Sequence, residues 1–328
     1  MLKRVWRLLS SCAFLVLTLS VSPTYSAEDA YPSRPVTIIV PGPPAGATDF
    51  LGRLLADKLS VILGQSVIIE NKAGAAGLIG TKFVKAAPAD GYTMMVGTPA
   101  THAIGPFLRK KMPYDPINDF TAISLIAKSP SFLIVKQDSA AQSLAELLES
   151  AKAHPGEVTY GTPGVGQTQH MIGLRLARQA HVDLLHIPYV GTGPGVTDLL
   201  GGRLSMLIAS AGGVVPLIKD KKVRVLAISA EERSTLLPQV PTFNEQGLSD
   251  VSLESFFALF GPAGVDAVIR DKLSAAVATA MSDPEMIKTV TAAYLTPVGS
   301  SANELKSFIK SETEKYKQII KEANISVE

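Results

Sequence analysis

The sequence predicts an α/β protein of two lobes, each built on a mainly parallel sheet with helices on both faces. Apolar, strand-like runs alternate with segments in which apolar residues recur at helical spacing, and the alternation starts again near residue 143. This order implies right-handed crossovers between parallel strands. The chain has 328 residues, of which 46% are hydrophobic and 18% charged, enough for two domains with their own cores.

Residues 1–27 have the pattern of a Sec-type signal peptide. Lys3, Arg4 and Arg7 form a positive start, residues 8–21 are apolar, and small residues precede a cut near Ala27. A membrane anchor is the alternative, but the apolar run is too short to span a bilayer comfortably. We therefore expect a periplasmic mature chain.

Loss of this leader changes the charge and the thiol content. Removal of its three cations leaves 28 basic residues against 29 acidic ones, so the net charge falls from +2 to −1. That balance argues against a nucleic-acid partner. The single cysteine, Cys12, also lies in the leader, so the mature chain has no thiol for catalysis or for metal binding.

The first half of the mature chain alternates three strands with two helices. The strands are predicted at residues 36–41, 67–70 and 92–97. Leucines at helical spacing place a helix between the first two strands, and a helix at 75–87 precedes the third. This β-α-β-α-β order favours a parallel sheet.

The second half repeats the pattern. Strands are predicted at residues 158–160, 184–189, 204–209 and 223–229, with helices at 167–179, 195–200 and 214–219. One more strand follows at 256–260, and the remainder is predicted to be helical. Capping-box spacing marks three helix starts, at Ser143 with Glu146, Ser282 with Glu285 and Ser301 with Glu304.

A long extended stretch at residues 121–137 could pass from one sheet into the other. The C-terminal helices have no predicted strands of their own, so we expect them to return to the first sheet. The domain prediction is therefore a first lobe of residues 28–130 plus 251–328 and a second lobe of residues 131–250. Two crossings of this kind allow a hinge about a cleft.

Two glycine turns join a strand to a helix, one in each half. The first glycine turn (residues 42–47) has no charged side chain, and the second glycine turn covers residues 161–166. A helix N-terminus presents unpaired N–H groups and the positive end of the helix dipole, which suits an anion. The alternative is a pair of plain strand-to-helix connections. Two such turns at one cleft favour one ligand held from both sides.

Other motifs do not support a cofactor, a metal or catalysis. The second turn reverses the dinucleotide-binding spacing, and Thr81 stands where a phosphate loop needs lysine. The five histidines show no metal-ligand spacing; we expect His170 in a helix behind the second turn. No Gly-x-Ser-x-Gly elbow is present. We therefore predict no cofactor, no metal site and no enzyme activity.

Across its whole mature length the chain resembles the Bug receptors, the extracytoplasmic solute-binding proteins of tripartite tricarboxylate transporters. The matching residues are 40–41, the Gly-Ala-Thr-Asp run at 46–49, 87–93, 114–116, 119–120, 160–161 leading to His170, 187–189, 197–202, 241–242 and 261–264. The resemblance implies a type II periplasmic-binding-protein (Venus flytrap) fold that closes on a small carboxylate.

The resemblance also implies a set of ligand-binding residues. In the family the first turn binds a carboxylate through backbone amides and water, without an arginine clamp. The first lobe would contribute Gly42, Pro43, Ala45, Gly46, Ala47, Thr48, Asp49, Thr98 and Thr101. The second lobe would contribute Thr162, Gly166, Gln167, Thr168, Tyr189 and Ser210.

Several of these residues have a structural alternative. Thr48 and Asp49 stand at a helix start, where such residues commonly act as caps. Thr162 and Thr168 have hydroxyls that suit a carboxylate, and a turn or capping role is the less favoured alternative for each. Tyr189 could line the pocket or belong to the core, and Asp198 is expected to brace residues 199–202 rather than to contact ligand.

The chain departs from the family pattern at five positions. Family members commonly have an aromatic residue at Gly42, glycine at Ala45, small polar residues at Val165 and Gln167, and often tryptophan at Phe256. These changes alter pocket shape and polarity. A dicarboxylate, a tricarboxylate and an aromatic carboxylate therefore all stay open as ligands.

The expected function is capture of a small organic carboxylate and its delivery to the small and large membrane subunits of a tripartite transporter. We expect the receptor to be a monomer. One alternative is a ligand-sensing partner of a membrane histidine kinase, which requires the same closed form. The other is an envelope hydrolase or lyase, which would need a catalytic group that the sequence does not show.

Overall fold

The computed structural model describes residues 31–44 and 46–326. The predicted signal peptide and Ala45 lie outside these residues. Within the described part of the chain, no helix is long and apolar enough to cross a membrane.

The strands form two sheets. Numbered along the chain, they are β1 (Val36–Val40), β2 (Val67–Asn71), β3 (Thr93–Gly97), β4 (Phe120–Ser129), β5 (Ser131–Lys136), β6 (Thr159–Thr162), β7 (Leu185–Pro188), β8 (Met206–Ser210), β9 (Val223–Ile228), β10 (Ser255–Pro262) and β11 (Thr296–Pro297). The first sheet has the order β11-β4-β10-β3-β1-β2, and the second has the order β7-β6-β8-β5-β9.

Helices connect and flank the strands. They are α1 (Ala47–Leu63), α2 (Leu78–Lys85), α3 (Pro99–His102), α4 (Gly105–Leu108), α5 (Leu144–Ala153), α6 (Thr168–Ala180), α7 (Thr192–Leu200), α8 (Ala211–Lys219), α9 (Ala267–Ser282), α10 (Pro284–Ala292) and α11 (Ala302–Ala323). Single 3-10 turns occur at Ala75–Gly77, Asn244–Gln246 and Ser249–Val251.

The mainly parallel sheets predicted from the sequence are confirmed. Strand β1 pairs in parallel with β2 and β3, and β6 pairs in parallel with β7 and β8. Each sheet also contains a reversed inner strand that follows a crossing from the other lobe, and β11 is a second reversed strand at the edge of the first sheet. Strand β10 is antiparallel to both β3 and β4, and β5 is antiparallel to both β8 and β9.

Helices cover both faces of the first sheet, because successive side chains of its central strands point to opposite faces and are buried on both. Ile38 and Val40 belong to a cluster with leucines of α1 and α9, whereas Ile39 belongs to a second cluster with α2 and α11. All three side chains have no exposed surface. Burial on both faces is the reason that β1 is a continuous apolar run.

The two crossings between the lobes meet at one point. Strand β4 passes into β5 through Pro130, and the amide of Ser131 donates to Ser229 Oγ at 2.8 Å. The amide of Ser229, just after β9, donates back to the Ser131 carbonyl at 2.9 Å. This reciprocal pair ties the outgoing and returning segments together, as a hinge requires.

Three details at helix ends and in the C-terminal part test the sequence-based predictions. Ser301 and Glu304 form the predicted capping box of α11, and Ser143 caps α5. The start predicted at Ser282 was wrong by one residue, since Asp283 caps α10 and accepts from Met286 N. The all-helical C-terminus was also wrong in one place, because β11 adds two residues to the edge of the first sheet.

A matched pair of substitutions on α1 tests this core. Leu55 is fully buried between the helix and the sheet, whereas Val61 on the same helix is 82% exposed. We expect Leu55→Ala to lower the free energy of unfolding by about 2–5 kcal/mol because it removes buried methyl groups and leaves a cavity. Val61→Ala should change it by less than about 0.5 kcal/mol. Urea denaturation of the mature chain measures both, and equal effects would contradict the packing described here.

Candidate functional site

The first glycine turn places the N-terminus of α1 at the C-terminal edge of the first sheet. Gly46 is the residue before the helix, with extended backbone angles of φ −79° and ψ 168°, and no side chain caps the helix among the described residues. The amides of the first helical turn are therefore directed at the space above the sheet edge, as the sequence predicts. Such amides bind anions without a cationic side chain.

Asp49 braces this turn from inside. Its carboxylate is only 4% exposed and receives two hydrogen bonds from Arg53, at 2.9 and 3.0 Å. Asn71 at the end of β2 donates both to Asp49 Oδ1, at 2.9 Å, and to the carbonyl of Gly42, at 3.2 Å. These contacts favour the structural alternative for Asp49; its predicted ligand contact stays a prediction.

The turn after β3 contains Thr98 and Thr101. The amide of Thr98 donates to Thr101 Oγ1 at 3.0 Å, and the Thr101 hydroxyl donates to the Thr98 carbonyl at 3.1 Å. Thr101 is 1% exposed and also lies 2.9 Å from His102 Nδ1, whereas Thr98 is half-buried. Thr98 is consequently the better placed of the two to contact a ligand.

The second glycine turn leads from β6 into α6. Gln167 precedes the helix with extended backbone, and no side chain in the described part of the chain caps it. Gly166 has φ +78°, a conformation that disfavours residues with a side chain. Gly166, Gln167 and Thr168 thus surround the start of α6, which lacks a side-chain cap just as the start of α1 does.

Two stacked imidazoles support the second turn from behind. The ring centroids of His170 and His186 are 4.1 Å apart, and Tyr160 stacks on the other side of His186 at 4.7 Å. His186 Nε2 lies 2.7 Å from Thr162 Oγ1, and His170 Nδ1 accepts from the amide of Gly166 at 3.3 Å. The rings therefore hold Thr162 and Gly166 in place.

These two histidines are neutral near neutral pH. Burial lowers the pKa of His186 to about 4, and burial together with the neighbouring His186 lowers the pKa of His170 to about 4. A neutral His170 can accept a hydrogen bond at Nδ1, whereas a protonated ring cannot. Sequence reasoning placed His170 behind the turn but missed His186, which the pairing of β7 with β6 places opposite Tyr160.

The remaining predicted site residues lie at neighbouring strand ends of the second sheet. Tyr189 follows β7, is half-buried and donates to Asp198 Oδ2 at 2.8 Å. Asp198 in turn binds Arg203, so it acts as a brace. Ser210 is half-buried directly before α8. Thr162, the last residue of β6, and Thr168, the first residue of α6, are both buried. The ligand contacts of Tyr189 and Ser210 stay predictions.

A cavity of about 160 Å³ separates the two lobes beside the second turn. We call it the inter-lobe cavity; its lining includes Ala75, Ala76, Leu108 and Arg109 from the first lobe and Val165 and Gln167 from the second. Gly166 also lines it, and a Cβ at that residue would lie only 2.4 Å from Leu108 Cδ1. The lobes are therefore in contact at this point.

Comparison with known proteins identifies what the chain resembles. The model of the tripartite tricarboxylate transporter family receptor matches residues 51–325. The protein BugT of Bordetella pertussis is 33% identical over 317 residues, which cover 96% of this chain and 97% of BugT.

Solved structures show the same architecture. One from Rhodopseudomonas palustris with adipate has a TM-score of 0.82 and 32% identity, and the match covers 90% of this chain and 99% of that one. MatC from the same organism, with bound malate, has a TM-score of 0.76 and 29% identity, covering 88% of this chain and all (100%) of MatC. The two-lobe fold and the resemblance predicted from the sequence are confirmed, and the matched family consists of solute-binding receptors rather than enzymes.

The stacked histidines predict how the folding stability depends on pH. In the unfolded chain His186 binds its proton at about pH 6.5, but in the folded chain only near pH 4, so unfolding takes up protons between these values. Stability is therefore expected to fall as the pH drops from about 7 to about 4. His186→Gln removes one such group and should reduce this loss, while the exposed His154→Gln should not. Urea denaturation at about pH 7 and about pH 5 gives the free energy of unfolding lost between the two pH values. If His186→Gln lost as much as the wild type, His186 would not be a source of this pH dependence.

Proposed function

Because this chain belongs to the tripartite tricarboxylate transporter receptor family, we propose that it captures a small organic carboxylate between its lobes and delivers it to a membrane transporter. The membrane partners would be the small and large subunits of a tripartite transporter. Capture takes place in the periplasm, and the receptor acts as a monomer.

The observation that carries this proposal is the pair of helix N-termini, α1 and α6, at the C-terminal edges of the two sheets. Neither has a side-chain cap among the described residues. Arg53, the nearest cation in sequence to the first turn, is engaged by Asp49. A carboxylate bound here would receive charge-assisted hydrogen bonds from main-chain amides, and closing the lobes would strengthen them by excluding water.

No described cation is buried at the first turn, which also suits transport. A carboxylate held by amides and helix dipoles loses these bonds when the hinge opens, without having to break a buried ion pair. The relatives solved with adipate and with malate support a carboxylate as the ligand class. A receptor for delivery needs release as much as capture.

A ligand panel tests the proposal. The mature protein is heated with aliphatic and aromatic mono-, di- and tricarboxylates, and its melting temperature is followed. We expect a rise for at least one member, because a ligand at 100 times its dissociation constant stabilises the folded state by about 2.7 kcal/mol. Calorimetry should then give a saturable affinity in the micromolar range. If no carboxylate raised the melting temperature, the proposal would be wrong; turnover of a bound carboxylate would instead favour an enzyme.

Substitution of Gly46 tests the first turn separately. Its extended backbone accepts a β-branched residue, and the nearest described atom to a Cβ there, apart from its chain neighbours, is the Pro43 carbonyl oxygen, at 3.5 Å. Gly46→Val should fold with a melting temperature within about 2 °C of the wild type. We expect it to weaken carboxylate binding more than about tenfold, because its isopropyl group occupies the space before the helix N-terminus. Gly46→Ala should show a smaller loss. Normal binding by Gly46→Val would exclude this turn from the site.

A further inference from the structure

We propose that Arg109 binds a second, distal carboxylate, so that the preferred ligand is an elongated dicarboxylate with an apolar middle. This inference rests on the proposed function and concerns the end of the ligand that lies away from the main-chain amides. It assigns a role to the inter-lobe cavity and to a residue that the sequence analysis did not select.

The inter-lobe cavity adjoins the second glycine turn directly. Gly166 and Gln167, at the start of α6, line it on one side. Ala100, between Thr98 and Thr101, lines it on the other. A ligand whose first carboxylate lies at these helix and strand ends therefore has this cavity as adjoining space between the lobes.

The walls of the cavity are mostly apolar. Ala75, Ala76 and Leu108 contribute methyl and isobutyl groups from the first lobe, and Val165 faces them from the second. Val165 is 44% exposed, so a bound apolar group has part of its side-chain surface left to cover. A hydrocarbon chain or an aromatic ring would cover it, whereas the hydroxyl and carboxyl groups of a compact tricarboxylate would find few partners.

Arg109 places a positive charge at this apolar wall. Its Nη2 donates to the carbonyl of Ala75 at 3.2 Å, and it takes part in no ion pair with the described residues. In contrast, Arg53, Arg203 and Arg233 each bind a carboxylate of the protein. A guanidinium has five N–H donors in a planar fork that matches a carboxylate, so most of this fork is available to a ligand.

The carbonyl that orients Arg109 belongs to an uncommon backbone segment. Ala75 and Ala76 have φ of 48° and 56°, and the flanking Gly74 and Gly77 have φ of 129° and 91°. Two successive non-glycine residues in the left-handed region cost free energy, and such segments concentrate at binding sites. The segment turns the Ala75 carbonyl toward Arg109 and forms a wall of the same cavity.

Calorimetry with matched ligand pairs tests the inference. Adipate is compared with hexanoate, and 1,4-benzenedicarboxylate with benzoate, so that each pair differs by one carboxylate. We expect the wild type to bind at least one dicarboxylate about tenfold or more tightly than its partner, because a hydrogen-bonded charge pair contributes this much. The pair with the larger difference identifies an aliphatic or an aromatic middle.

Variants at Arg109 then assign the effect. Arg109→Met should weaken dicarboxylate binding by about tenfold to a hundredfold and leave monocarboxylate binding unchanged. Lys111→Met removes the same charge from an exposed neighbour that does not line the cavity, and should change neither. If Arg109→Met lowers the melting temperature, Arg109→Gln, which keeps a donor for the Ala75 carbonyl, replaces it.

The outcomes separate this inference from the proposed function. Equal affinities within both pairs, or an equal effect of Arg109→Met on both members, would overturn the role of Arg109 while carboxylate capture stands. Failure of every carboxylate to bind the wild type would overturn both.

Discussion

Each sheet of this protein contains an inner strand that follows directly after a crossing from the other lobe, and the position of the site depends on these two crossings. Strand β10 lies between β3 and β4, and β5 lies between β8 and β9. The crossings are tied by the paired hydrogen bonds of Ser131 and Ser229. With the sheets joined in this way, we expect the C-terminal edges of their parallel strands to border a common cleft. Open α/β sheets bind ligands at that edge, so both glycine turns occupy the position where a ligand is expected.

The electrostatics of the cleft is built with few charges. The carboxylate of Asp49 is matched by Arg53, and the histidines behind the second turn are neutral because they are buried. The dipoles of α1 and α6 would therefore act on a ligand with few uncompensated protein charges nearby. In such surroundings a main-chain amide gives a short, directional bond to an anion at little cost in reorganisation. Arg109 would add a full positive charge at the far end of the ligand.

Local sequence signals predicted the strands other than β11, both glycine turns and the capping box at Ser301, because each depends on neighbouring residues. The sequence did not predict features that depend on contacts between distant residues, or on a choice between two neighbouring residues that are equally suited to one role. His186 supports Thr162 only through the register of β7 with β6. Asp283 caps α10 rather than the adjacent Ser282. Both residue types are good N-caps, so the sequence alone could not choose between them. Arg109 follows the four-residue α4, too short to show periodicity, and its cavity exists only when the lobes meet.

The contact between Gly166 and Leu108 has a thermodynamic consequence. Because a side chain at residue 166 would collide with Leu108, the absence of one permits the lobes to approach as closely as they do. The equilibrium between open and closed receptor thus depends partly on a contact that no ligand makes. Apparent affinity scales with the fraction of molecules in the binding-competent state. A sequence change at either residue should therefore shift the open–closed equilibrium of the unliganded receptor and, with it, the apparent affinity for every ligand.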